Sequence, residues 1–172
     1  MTSTSAVIED FSRRFPESAV GTHWQLLSDA VMGGVSSGCM TSVVVSGRPA
    51  IRMQGAVSLD NNGGFVQIAL DLVPGGGIFD ASRFLGIEID SLGDGEEYGL
   101  HLRTSDLSRP WQSYRASITA SDTWKTIQVS FLDFLPHRTD VPLNVRRLRR
   151  LGVVAIGRQF NPDVCIGGIR FC

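Results

Sequence analysis

The chain has 172 residues, 42% of them hydrophobic and 19% charged, with 16 basic against 17 acidic side chains. That balance excludes a disordered segment, which needs few apolar residues and a high net charge, and the length suits one domain with its own core. A net charge of -1 gives no global attraction for nucleic acid or a membrane surface, and no apolar run reaches the roughly 18 residues of a membrane helix.

The opening stretch has no basic region followed by an apolar one, so no secretory signal is read there. Glu9 and Asp10 oppose a mitochondrial presequence, which avoids acids. Residues 1–8 read as a flexible tail and residues 9–172 as a single domain. Ser28-Asp-Ala-Val-Met-Gly-Gly-Val-Ser-Ser37 follows. Adjacent Gly33 and Gly34 permit positive φ or close backbone approach, and Asp29 offers oxygens to local backbone. The segment has no lysine and no Gly-Lys-Ser/Thr, so it reads as a structural corner rather than a phosphate cradle.

Strand signals then dominate. Thr41–Ser46 and Ala50–Gly55 flank the turn Gly47-Arg48-Pro49. Asp60, Asn61 and Asn62 could supply oxygens to calcium, but they do not fit the calcium-loop spacing, and with Gly63 and Gly64 the stretch reads as a positive-φ turn. Phe65–Leu72 sets Val66, Ile68, Leu70 and Leu72 against Phe65, Gln67, Ala69 and Asp71. Leu85–Ile89 alternates likewise, then turns at Gly93-Asp94-Gly95. Tyr98–Thr104 puts Tyr98, Leu100 and Leu102 on one face and His101 and Arg103 on the other. Tyr114–Thr119 puts Tyr114, Ala116 and Ile118 inward, with Arg115 and Ser117 outward. Thr123–Ser130, Leu151–Ile156 and Val164–Phe171 complete the series; Pro142–Leu151 has at most a turn or two of helix. Period two is the signature of half-buried strands, and about nine of them at this spacing predict an all-β sandwich.

The candidate binding residues are His101, Arg103, Trp111, Ser113, Arg115 and Ser117, on or beside two strands that would form one polar face if paired. Aromatic and arginine side chains suit protein hot spots, sugar stacking or nucleic-acid bases. Arg146-Arg147-Leu148-Arg149-Arg150 is the one dense charge run; it could touch RNA, anionic lipid or an acidic protein, or simply be a solvated polar segment. Catalysis has no support. Asp71, Glu88, Asp90, Glu96, Glu97 and Asp133 have no visible pairing, and no Gly-x-Ser-x-Gly elbow occurs. Cys39, Cys165 and Cys172 lack Cys-x-x-Cys spacing, and His23, His101 and His137 are scattered. No metal or cofactor is expected, and the thiols are expected free in a cytoplasmic setting.

Several stretches, in this order, resemble the complex I intermediate-associated protein 30 family. They are Trp24 with Ser28-Asp-Ala-Val-Met-Gly-Gly-Val-Ser36, and Gly55-Ala-Val-Ser-Leu-Asp-Asn-Asn-Gly-Gly-Phe65. Tyr98-Gly-Leu-His-Leu-Arg103, Trp124–Phe134 with Pro136, and the closing Ile166-Gly-Gly-Ile-Arg-Phe171 follow. The resemblance implies a galactose-binding-like jelly roll, the architecture of many carbohydrate-binding modules, and carries no catalytic residues. It also implies an accessory or assembly factor for a membrane-associated redox complex, with subunits of a respiratory or photosynthetic complex as partners, in the cytoplasm or peripheral to the inner membrane. A carbohydrate-binding module and an RNA-binding accessory protein are the alternatives. The near-neutral charge speaks against nucleic acid.

Overall fold

The computed structural model describes residues 6–172. The chain runs through β1 (Val7–Glu9), β2 (Gln25–Ser28), β3 (Ser37–Val45), β4 (Arg48–Ala56), β5 (Phe65–Asp71) and β6 (Gly86–Gly93). It continues through β7 (Glu97–Thr104), β8 (Ser113–Thr119), β9 (Lys125–Ser130), β10 (Leu135–His137), β11 (Leu148–Ile156) and β12 (Asp163–Phe171). Short 3-10 turns at Asp29–Met32, Asp60–Asn62, Pro74–Gly76, Phe131–Asp133 and Val145–Arg147 fill some of the connections.

Every strand pair is antiparallel, in two sheets. One has the order β3-β4-β12-β6-β9, with β1 also on β12. The other has the order β10-β8-β7-β11-β5-β2. β12 is shared along its length: Asp163–Ile166 pair with β4, and Ile169 and Arg170 pair with β1. The register shift at Ile166/Gly168 marks the change.

Alternation decides which side chains enter the core. Val66, Ile68 and Leu70 of β5, Tyr98, Leu100 and Leu102 of β7, and Leu151 and Val153 of β11 meet Ile51, Met53, Ile87, Ile89, Val164, Ile166 and Ile169 from the other sheet. These side chains are at most 1% exposed. Burial of each contributes about 1.5–3 kcal/mol, so Leu100→Ala removes about 2–5 kcal/mol. Tyr98 and Tyr114 keep their hydroxyls satisfied from inside. Tyr98 donates to Asp94 Oδ2 at 2.8 Å, and Tyr114 donates to the Val141 carbonyl at 2.8 Å.

The structure departs from the sequence expectation at the short elements. Residues 1–5 of the expected tail lie outside the described residues. Val7 and Ile8 belong to β1, and Ile8 is fully buried. Glu9 anchors this strand: its carboxylate accepts from Trp24 Nε1 at 2.9 Å and from the Ala19 amide at 3.0 Å. Around Pro142–Leu151 the helical content is the single turn Val145–Arg147, capped by Asn144.

Candidate functional site

The two glycine-rich loops meet at one buried carboxylate. Asp29 is fully buried. Its Oδ1 accepts the Ser36 amide at 3.0 Å. Its Oδ2 accepts the Ser36 hydroxyl and the Gly64 amide, both at 2.5 Å, and the Phe65 amide at 3.2 Å. Burial pushes this carboxyl up, but the Ser36 hydroxyl and the three amides outweigh it and hold the group below its ordinary range. Gly34 and Gly63 are required by close approach: a Cβ on either would stand 2.5 Å from Asp29 side-chain atoms. Asn61 and Asn62 take left-handed φ of 55° and 59°, and Asn61 Nδ2 reaches the Gly33 carbonyl at 3.2 Å. The amides that an external anion would use are already occupied by the chain's own carboxylate.

The outward side chains of the β10-β8-β7-β11-β5-β2 sheet form a second, different surface. His101 lies directly opposite Arg115, and Gly99 opposite Ser117. Arg103 and Ser113 are the next positions on the same side of these two strands, but Ser113 is buried, at 5% exposure, beneath Arg115. Leu135 and His137 of β10 stand opposite Arg115 and Ser113. Across β7, Arg150 of β11 is opposite Arg103, and Gly152 is opposite His101. The register therefore brings His101, Arg103, Ser113, Arg115 and Ser117 onto one face. Trp111 is off the strands, in the β7–β8 connection, and 55% exposed. It is linked to the face through Arg109, which sits 5.9 Å from the Trp111 ring and accepts Arg103 Nη2 at its carbonyl at 3.0 Å.

Sequence reasoning missed Leu135, His137 and Arg150 on this face. A three-residue strand around Pro136 gives no alternation to read. Arg150 is hidden by a register shift between Leu148 and Arg150, which breaks the period at the start of β11. The arginine run is divided by its strand. Arg147 pairs with Asp106 at 2.9 Å, Leu148 is core, and Arg150 pairs with Asp71 at 3.1 Å and Gln25 at 2.9 Å.

The electrostatics at His101, Arg103 and Arg115 are set by burial and by neighbouring cations; Asp71, an acid on this face, is paired with Arg150. His101 packs its ring over Gly99, where a Cβ would stand 2.7 Å from Nε2. Burial first, then Arg115 and His137, push its imidazole down to about 3, so it is neutral at neutral pH. Burial, then Arg150 and Arg149, push the Arg103 guanidinium down; burial and Arg138 do the same to Arg115. Arg103 Nε is buried with no hydrogen-bond partner among the described residues. Arg115 Nε donates to Ser113 Oγ at 2.8 Å.

The strands of the opposite sheet also carry arginines outward, and there each arginine has an acid. Arg48 and Arg170 donate to Asp90 at 2.9 and 3.1 Å, and Arg52 donates to Asp163 at 2.7 Å. Although burial pushes the Asp90 carboxyl up, Arg170, Thr126 and Arg48 hold it down at about 2. All three cysteines are free thiols. Among the described residues no group of three His, Cys, Asp or Glu side chains could hold a metal ion, and no helix is long and apolar enough to cross a membrane.

This architecture defines a β-sandwich jelly roll of the galactose-binding-like type, shared with carbohydrate-binding modules. A family 11 carbohydrate-binding module from Clostridium thermocellum, in complex with a β-1,3-1,4-mixed-linked tetrasaccharide, is 16% identical. The match has a TM-score of 0.74 over 97% of this chain and 94% of that one. A family 30 module of a Clostridium thermocellum cellulosomal cellulase is 15% identical, with a TM-score of 0.59 over 79% of this chain and 82% of that one. An exo-β-agarase is 13% identical, with a TM-score of 0.58 over 98% of this chain and 25% of that one. At these identities the likeness speaks for the fold. No curated protein matches the chain significantly. The chain belongs to the complex I intermediate-associated protein 30 family, whose sequence model matches residues 13–162.

Proposed function

We propose that the chain is a non-catalytic binding module that acts as an accessory or assembly factor for a membrane-associated redox complex of the complex I kind. Family membership supplies the client class. The observation that carries the reading is the outward face of β7 and β8, where His101, Arg103, Ser113, Arg115 and Ser117 stand together with the exposed Trp111 at its border. Tryptophan and arginine are the residue types most enriched at protein hot spots, where truncation costs about 2 kcal/mol or more.

The test is affinity capture from the host, read by mass spectrometry for complex I subunits. Wild type is compared with the Arg103→Ala plus Arg115→Ala variant and with Trp111→Ala, using circular dichroism as the folding control. Enrichment of the subunits by wild type and its loss in the folded double variant support the reading. Full retention in every face variant moves the site elsewhere, first to the apolar loop tips Val31, Met32 and Val35, which are 77%, 59% and 55% exposed.

A carbohydrate ligand is the second reading, favoured by the exposed Trp111 and by the carbohydrate-binding modules that share the fold. The strands themselves offer little for stacking: both tyrosines point into the core, and the centre of the face carries arginine, histidine, serine and glycine. Glycan-array binding lost on Trp111→Ala would favour this reading.

A further inference from the structure

We propose that Arg103 and Arg115 receive the carboxylates of an acidic, extended segment of a protein partner. This inference rests on the reading that the β7–β8 face captures a protein client, and adds the chemistry of what it captures.

The first support is a missing counter-charge. Each cation on the other sheet's face named above meets Asp90 or Asp163. On this face Arg103 and Arg115 are half-buried, and among the described residues neither forms an ion pair. The charges that weigh on them are like-charged: Arg149 and Arg150 for Arg103, with Arg150 itself paired to Asp71, and Arg138 for Arg115. A partly desolvated guanidinium facing other guanidiniums is destabilised, and an incoming anion relieves that penalty. Arg103 Nε is a buried donor with no acceptor among the described residues. Of the Arg115 fork, Nε is taken by Ser113, and its terminal nitrogens form no hydrogen bond among the described residues.

The second support is spacing. Arg115 faces His101, so Arg103, two residues further along β7, is the diagonal neighbour of Arg115. Diagonal positions on paired strands are about 7–8 Å apart. Alternate side chains of an extended peptide recur every ~6.6 Å, so carboxylates at positions i and i+2 match the two guanidiniums, each of which can take a carboxylate through paired donors. A single small anion does not span that separation without bending both side chains inward. The third support is the apolar border. Leu135, opposite Arg115, is 67% exposed and Trp111 is 55% exposed, so apolar residues between or beside the acids have somewhere to rest.

The test uses the full chain and two fluorescein-labelled nonapeptides, one alternating glutamate with leucine and the other alternating glutamine with leucine, read by fluorescence anisotropy. The glutamate peptide is expected to bind roughly ten-fold tighter or more, and raising salt from about 50 to 300 mM to shrink that preference several-fold. The preference disappears in Arg103→Gln plus Arg115→Gln, checked for folding by circular dichroism, and survives in Arg146→Gln, which changes an exposed arginine off this face. Equal affinity for the two peptides in the wild-type chain overturns the proposal without reference to any variant. Glutamate preference that persists in the folded double variant also overturns it. So does displacement of the peptide by submillimolar inorganic phosphate, which would make this a small-anion pocket. Equal peptide affinities, with client capture still lost in Arg103→Ala plus Arg115→Ala, would discard the acidic segment and leave the client-binding face standing. Capture unaffected by the face variants would discard the face itself.

Discussion

Asp29→Asn is the sharpest perturbation of the fold, because it keeps the shape of the side chain and removes its charge. In the native loop one oxygen accepts two amides and a hydroxyl, and the other accepts one amide. Asparagine has one carbonyl oxygen and one NH2 group, so in either orientation a donor faces a donor. The better orientation turns the oxygen toward Gly64, Phe65 and the Ser36 hydroxyl, and leaves the Ser36 amide orphaned. An unsatisfied buried amide costs about 1–3 kcal/mol, and three charge-assisted bonds becoming neutral lose several tenths of a kcal/mol each, giving a total of about 2–4 kcal/mol. Equilibrium urea unfolding at neutral pH reads this as a lowered midpoint with an unchanged slope. The acid limb changes too. The native Asp29 carboxyl is held below its unfolded value, so its contribution is complete above about pH 4 and is lost as pH falls through the lower folded value; the uncharged amide of the variant removes that part of the acid sensitivity. A midpoint shift worth less than about 0.5 kcal/mol would refute the assignment of Asp29 as the hub joining the two loops.

Gly34→Val should cost about 1–3 kcal/mol in the same assay, because its side chain must displace Asp29, which a Cβ would approach to 2.5 Å. Gly33→Ala, at φ 83° with open space around it, should lose only the left-handed penalty of about 1–2 kcal/mol. Asp90→Asn should flatten the loss of stability between about pH 4 and pH 2, since this carboxyl is held down at about 2 and its contribution of about 2 kcal/mol is present above the unfolded value and lost below the folded one. His101, pushed down to about 3, should show no imidazole titration by NMR between pH 8 and pH 4, and it should lower stability as pH drops below about 6.5, where the unfolded chain binds the proton and the folded one does not. Thiol titration should find Cys39 and Cys172 reactive in the native protein and Cys165 reactive only after unfolding, because the first two are exposed and the third is buried.

The strands that the sequence reveals are those with one wet and one dry side. Phe65–Asp71 and Glu97–Thr104 alternate because one face meets the core and the other meets water. Gln25–Ser28 escapes because its side chains are exposed or half-buried throughout, with Leu26 37% exposed, so no contrast is written into it. Val7–Glu9 and Leu135–His137 are too short to repeat a period. Polar positions on the face were legible for the same reason as the core: His101, Arg103, Arg115 and Ser117 are the complement of Tyr98, Leu100, Leu102, Tyr114 and Ile118. That Arg103 and Arg115 form no ion pair among the described residues was not legible, since it depends on which strands are neighbours. Nor was the role of Asp29, whose partners Gly64 and Phe65 lie 35 and 36 residues away and are brought close by the fold.

The most direct test of the central claim is the assembly state of the redox complex in host cells that lack this chain, read on native gels by activity stain and subunit immunodetection. The account predicts that complex I subunits stall in smaller intermediates, that wild-type chain restores the full complex, and that the folded Arg103→Ala plus Arg115→Ala variant does not. Unchanged complex I in the cells lacking the chain, or full restoration by the double variant, would contradict it.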